Sequence, residues 1–121
     1  MNFVEGTVSA AEGAAPTVNI GGNALELRQP LPGFKPGDKV TFGIRPEHMG
    51  VTDAAGVKLA DVRVDLVEQL GDATMLYAST RGGQPITISL DGQRQIAAGS
   101  TVPAYVDPTK YHVFAPDGRA I

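Results

Sequence analysis

No cysteine occurs among the 121 residues. Disulfides and thiolate metal centres are therefore excluded. A chain without thiols suits the cytoplasm. Tryptophan is absent as well, and aromatic residues make up only 6%. That is too few to build a sugar-stacking platform, or the stacking surface that single-stranded nucleic acid needs. Positive charge is scarce. Ten Lys and Arg stand against thirteen Asp and Glu, for a net charge of −3 and an isoelectric point near 5.2. Binding to nucleic acid or to an anionic membrane wants a basic face, so neither partner is expected. No run approaches about 18 consecutive apolar residues, so no spanning helix is expected. The N-terminus lacks a basic segment followed by an apolar run, so no signal peptide is expected. Catalytic motifs are missing too. There is no Gly-x-x-x-x-Gly-Lys-Ser/Thr loop to cradle ATP phosphates, no Gly-x-Ser-x-Gly elbow and no Cys nucleophile.

What is present is punctuation and alternation. Fifteen Gly and nine Pro break up a chain that is 42% hydrophobic. That suits short strands joined by tight turns rather than a helical bundle. Val4, Gly6, Val8 and Ala10 share one face, with Glu5, Thr7 and Ser9 on the other. Val18 and Ile20, then Gly21-Gly22-Asn23, then Leu25 and Leu27, read as a hairpin. Val40, Phe42 and Ile44 form the next run, stopped by Pro46. Residues 49–60 read as a looser link. Val62, Val64 and Leu66 alternate with Arg63 and Asp65. Met75 to Ala78 reads as a buried strand, and Ile86, Ile88 and Leu90 alternate between the turns at Arg81-Gly82-Gly83 and Asp91-Gly92. Val102, Ala104 and Val106 follow, and Tyr111 to Phe114 closes the series. Periodicity leaves a helical turn open around 67–70 and 93–97.

One segment recurs. The run from Gly37 through Val40 to Pro46 matches the run from Gly99 through Val102 to Pro108 at a constant offset. Each copy is a turn, an alternating strand and a Pro stop. The chain therefore reads as one all-β domain over 1–121, an OB-fold-like small barrel with at most short helical turns. Its two related β units span about 1–48 and 61–114, each too small to bury a core alone.

Candidate chemistry is sparse. His48 and His112 lie far apart, and a pair alone makes a weak metal site. Asp61, Asp65 and Glu68 are close in sequence, with the two aspartates on one strand face; a solvated face is favoured over a pair of hydrolytic acids. The most distinctive stretch is Gly43-Ile44-Arg45-Pro46-Glu47-His48. Pro46 removes a donor and ends pairing, which presents Arg45, Glu47 and His48 at a rim. Such a rim serves as an interface, or it holds a local Arg–Glu pair that ties down a loop.

This hexapeptide, with Val67-Glu68-Gln69-Leu70-Gly71, His112-Val113-Phe114 and Asp117-Gly118, resembles the transport-associated OB (TOBE) domain. That is the C-terminal regulatory region of the ATP-binding subunit of maltose-type, sugar-importing ABC transporters. Met1-Asn2-Phe3 resembles the point where the region begins, after the nucleotide-binding domain. The resemblance implies a non-catalytic regulatory and dimerisation role, in a homodimer at the cytoplasmic face of the membrane. The nucleotide-binding domain, the membrane subunits and a regulatory protein would be its partners. It places Arg45, Pro46, Glu47, His48, Gly71 and Asp72 at or near the subunit or regulatory interface. No catalytic residue, cofactor or metal is expected. The alternative is a free-standing barrel that binds a small oxyanion, near Lys39 or Lys110.

Overall fold

The computed structural model describes residues 1–10, 15–27 and 29–121. The chain is nearly all β, and the alternation read from the sequence becomes ten strands in two five-stranded sheets. The first sheet holds β1 (Asn2–Ala10), β2 (Thr17–Ile20), β3 (Asn23–Glu26), β4 (Lys39–Ile44) and β10 (His112–Phe114), in the order β10-β4-β1-β2-β3. The second holds β5 (Met49–Gly50), β6 (Val57–Gln69), β7 (Ala73–Thr80), β8 (Pro85–Asp91) and β9 (Thr101–Val106), in the order β5-β9-β6-β7-β8. All pairings within both sheets are antiparallel.

The pairing pattern runs in parallel through the two sheets. β1 lies between β2 and β4, and β6 lies between β7 and β9. The remaining neighbour of β4 is β10, from late in the chain, while that of β9 is β5, from early in it. The inner faces meet in one apolar core. Val4, Ile20, Phe42, Leu59, Val64, Leu76, Ile88 and Val106 are fully buried in it.

Side-chain amides join the sheets where strand edges lie open. The first half of β1 pairs only with β4. Asn2 copies a ladder pair against β8: its amide nitrogen donates to the Thr87 carbonyl at 2.7 Å, and its oxygen accepts from the Thr87 N–H at 2.8 Å. Gln84 does the same against β1, accepting from the Glu5 N–H at 2.6 Å and donating to the Glu5 carbonyl at 3.1 Å. At the opposite seam Asn23 donates to the Lys58 and Leu59 carbonyls, both at 3.0 Å. These amides satisfy groups that a sheet edge would otherwise leave unpaired.

Several expectations need correction. Leu66 does not share the buried face of Val62 and Val64; it is 57% exposed. The register shifts between Val64 and Leu66, where Asp65 is an extra, unpaired residue. A bulge of this kind turns every later side chain to the other face. The link at 49–60 contains β5 and the start of β6. Residues 67–69 are strand, and 93–97 form no helical turn. The short helical turns fall instead at Pro46–His48 and Asp53–Ala55.

Candidate functional site

The hexapeptide forms the crossing from the first sheet to the second. β4 ends at Ile44, Arg45 is extended, and Pro46 opens a single 3-10 turn closed by the His48 N–H on the Arg45 carbonyl at 3.0 Å. Met49 then pairs with Val106 of β9. Pro46 suits this place because the first residue of a turn needs no N–H partner. Arg45 and Glu47 are exposed, and neither has an ion-pair or hydrogen-bond partner for its side chain among the described residues. A local Arg–Glu pair is therefore not what holds this loop.

His48 is half-buried, and its Nδ1 atom is buried without a hydrogen-bond partner. Its carbonyl accepts from the Asp107 N–H at 3.3 Å. The Asp107 carboxylate accepts from the Thr109 hydroxyl at 2.7 Å and the Thr109 N–H at 2.9 Å. These hydrogen bonds, with the nearby positive charge of Lys110 and His48, hold its pKa below the ordinary carboxylate value.

Gly71 and Asp72 form the turn between β6 and β7, and Gly71 has φ +73. The turn is tied to the residues that follow β8: the Gly92 N–H donates to the Asp72 carbonyl at 2.7 Å, and the Gln93 amide donates to that of Gly71 at 3.1 Å. The 3-10 turn at Pro46–His48 packs on β8 as well. Glu47 shares a shallow depression with Ser89, Leu90, Asp91 and Arg94. Both candidate segments thus abut the C-terminal end of β8, and Leu70 stands 51% exposed beside the second of them.

The other candidates are scattered. Asp61 pairs with Lys58 at 2.9 Å. Asp65 accepts from Ser79 and from Arg63, and these bonds lower its pKa. Glu68 accepts from the Tyr77 hydroxyl at 3.3 Å, and its charge raises the Tyr77 pKa. Lys39 reaches Glu5 at 3.8 Å and Thr7 at 3.0 Å, while Lys110 is exposed in the turn before β10. His112 sits opposite Gly43 on the outer face of the first sheet, with its ring 6.4 Å from that of Phe114. Among the described residues no three His, Asp or Glu side chains come close enough to hold a metal ion.

Sequence reasoning passed over a polar groove between the β2–β3 turn and β6 and β7. It encloses about 530 Å³ and is lined by Gly22, Asn23, Lys58, Asp61, Arg63 and Arg81, among others. Gly21-Gly22 and Arg81-Gly82 read only as turns until folding sets them side by side.

Fold and crossing together define a small OB-type β domain. The TOBE domain model matches residues 42–114, and a MalK OB fold domain model matches residues 1–49, so the two overlap at the hexapeptide. The chain belongs to the TOBE domain family. Similar proteins include the alpha-glucoside transport ATP-binding protein AglK of Rhizobium meliloti, 30% identical over 99% of this chain and 33% of that protein. The sn-glycerol-3-phosphate import ATP-binding protein UgpC of Cupriavidus necator is 34% identical over 91% of this chain and 28% of that protein. The maltose/maltodextrin import ATP-binding protein MalK of Vibrio vulnificus is 30% identical over 99% of this chain and 33% of that protein. The chain thus spans about a third of the length of the relatives it matches. A crystal structure of the cytoplasmic molybdate-binding protein ModG superposes with a TM-score of 0.70 at 20% identity, covering 95% of this chain and 96% of that one. That likeness is one of fold.

Among the described residues, no helix is long and apolar enough to cross a membrane.

Proposed function

We propose that this chain is the non-catalytic regulatory and dimerisation domain of the ATP-binding subunit of an ABC importer for sugars or related solutes. It works as one unit of two related β halves, about 1–48 and 61–114, at the cytoplasmic face of the membrane. Two copies hold their subunits together while the nucleotide-binding domains open and close. The membrane subunits and a regulatory protein are its other partners.

The relatives, all named as transport or import ATP-binding proteins, support the setting. The observation that carries the interface is the state of Arg45 and Glu47. Both are exposed at the crossing between sheets and neither is paired within the chain. Charges left unpaired on a fixed turn are suited to pairing across a two-fold axis, where each partner presents the same patch. Pro46 and His48 fix that turn, and Gly71 with Asp72 extends the surface along the end of β8.

Sedimentation equilibrium of the chain tests this. Self-association is expected, and the double variant Arg45→Gln with Glu47→Gln should weaken it by about tenfold or more. An unchanged dissociation constant would remove this patch from the interface.

A further inference from the structure

The groove beside the β2–β3 turn has chemistry that the interface does not use. Three cations, Lys58, Arg63 and Arg81, line it against one carboxylate, Asp61. Lys58 and Arg63 are each paired with a carboxylate, Asp61 and Asp65, so Arg81 is the charge left uncompensated here, on a chain whose net charge is −3. Arg63 is held in place by Asp65 at 3.1 Å, and Lys58 by Asp61 at 2.9 Å. Arg81 has no hydrogen-bond or ion-pair partner among the described residues. Its guanidinium lies over Gly22, where a Cβ would stand 3.7 Å from Nη1. Gly22 has φ +90, so glycine suits the turn that sets this backbone beside the head group.

The lining of the groove is also chemically mixed. Arg63, Ser79, Thr80 and Arg81, which line the groove, also border a second depression of about 290 Å³. Asp61 offers carboxylate oxygens, and the Asn23 amide nitrogen is already committed to the backbone, which leaves its oxygen to accept. No aromatic side chain lines the groove, so nothing is there to stack on a base. A volume of about 530 Å³ fits a small metabolite and far exceeds what one tetrahedral anion fills.

We propose that this groove binds a small phosphorylated polyol, with its phosphoryl group on Arg81 and on the donors of Arg63 that Asp65 leaves free, and its hydroxyls on Asp61, Lys58 and Asn23. Guanidinium groups bind phosphoryl oxygens through paired, charge-assisted hydrogen bonds. A carboxylate that would repel a bare anion becomes an acceptor for hydroxyls. The site stands whether or not the regulatory reading holds, because binding is read on this chain alone.

The test is an amide chemical-shift titration of the 121-residue chain at low ionic strength, where phosphate attraction is least screened. The probes are glucose 6-phosphate, glucose and inorganic phosphate. Glucose 6-phosphate should saturate shifts at Gly21, Gly22 and Arg81, with inorganic phosphate weaker and glucose silent. Arg81→Gln should weaken glucose 6-phosphate by about tenfold. Arg81 is exposed and unpartnered, so this variant should keep the parent spectrum elsewhere. Asp61→Asn should erase the preference for glucose 6-phosphate over inorganic phosphate. No saturation by about 10 mM overturns the site. So does an Arg81→Gln variant that binds like the parent. Equal binding of the two phosphates by the parent chain overturns the polyol assignment.

Discussion

Gly56 is the residue at which backbone geometry leaves least choice. It ends the 3-10 turn Asp53–Ala55 with φ +140, a conformation other residues rarely adopt. A Cβ there would lie 2.1 Å from the Val106 carbonyl oxygen and 3.0 Å from the Cα of Asp107. Both obstacles are backbone, so neither can rotate away. Gly56→Ala should therefore destabilise the fold by about 3 kcal/mol or more, since strain and overlap add. Gly82→Ala is the control. Its Cβ would meet nothing within 4 Å, and its φ is not positive. It should stay within about 0.5 kcal/mol of the parent. Urea midpoints measure both. Equal midpoints for the two variants would mean that the chain shifts at Gly56 without penalty. In the sequence both glycines read as the same punctuation, because the carbonyl that Gly56 must pass comes from a strand fifty residues later.

At the scale of elements, period-two alternation was enough to find most of the strands. The hairpin at Gly21-Gly22 and the strands around Phe42, Ile88 and Ala104 lie where Val, Ile and Leu alternate with polar residues. It failed where the alternation itself breaks. The bulge at Asp65 leaves no compositional mark, so Leu66 reads as buried. Gly50, Ala54, Ala55 and Gly56 make 49–60 read as a link, although β5 and the start of β6, with its register shift between Lys58 and Ala60, lie there. The seams were equally invisible, because an Asn near a terminus has no period. Yet Asn2 is only 7% exposed and supplies both ladder bonds to Thr87. Asn2→Ala removes both and leaves a donor and an acceptor on β8 without partners. The expected loss is about 2 kcal/mol in urea denaturation. Gln84→Ala should lose less, because its bonds to Glu5 are exposed and water can replace them. If Asn2→Ala unfolds with the parent, the seam between β1 and β8 does not depend on these two bonds.

The whole molecule explains why the two candidate sites differ in legibility. The hexapeptide is a continuous run whose strand, Pro stop and charges follow one another, so its place at a rim could be read directly. The groove gathers residues from 21–23, 58–63 and 79–81 with Thr101, and the approach of two turns from opposite sheets creates it. That approach rests on one core shared by strands of both sheets. Val4, Val18 and Phe42 from the early strands lie in one buried cluster with Leu59, Val64 and Ile88 from the later ones. β10 closes beside β4, so the second half lends the first a strand, and β5, in the segment between the halves, closes beside β9. Cutting the chain between the halves would expose two apolar sheet faces and open both seams. The full chain should therefore unfold in a single transition, with calorimetric and van't Hoff enthalpies equal. Peptides 1–48 and 49–121, made separately so that β6 stays whole, should show no cooperative transition by circular dichroism. A cooperative melt in either peptide alone would mean that the halves are independent domains. In that case the groove and the crossing would move relative to each other, and a ligand in one could not bear on contacts at the other through a shared core.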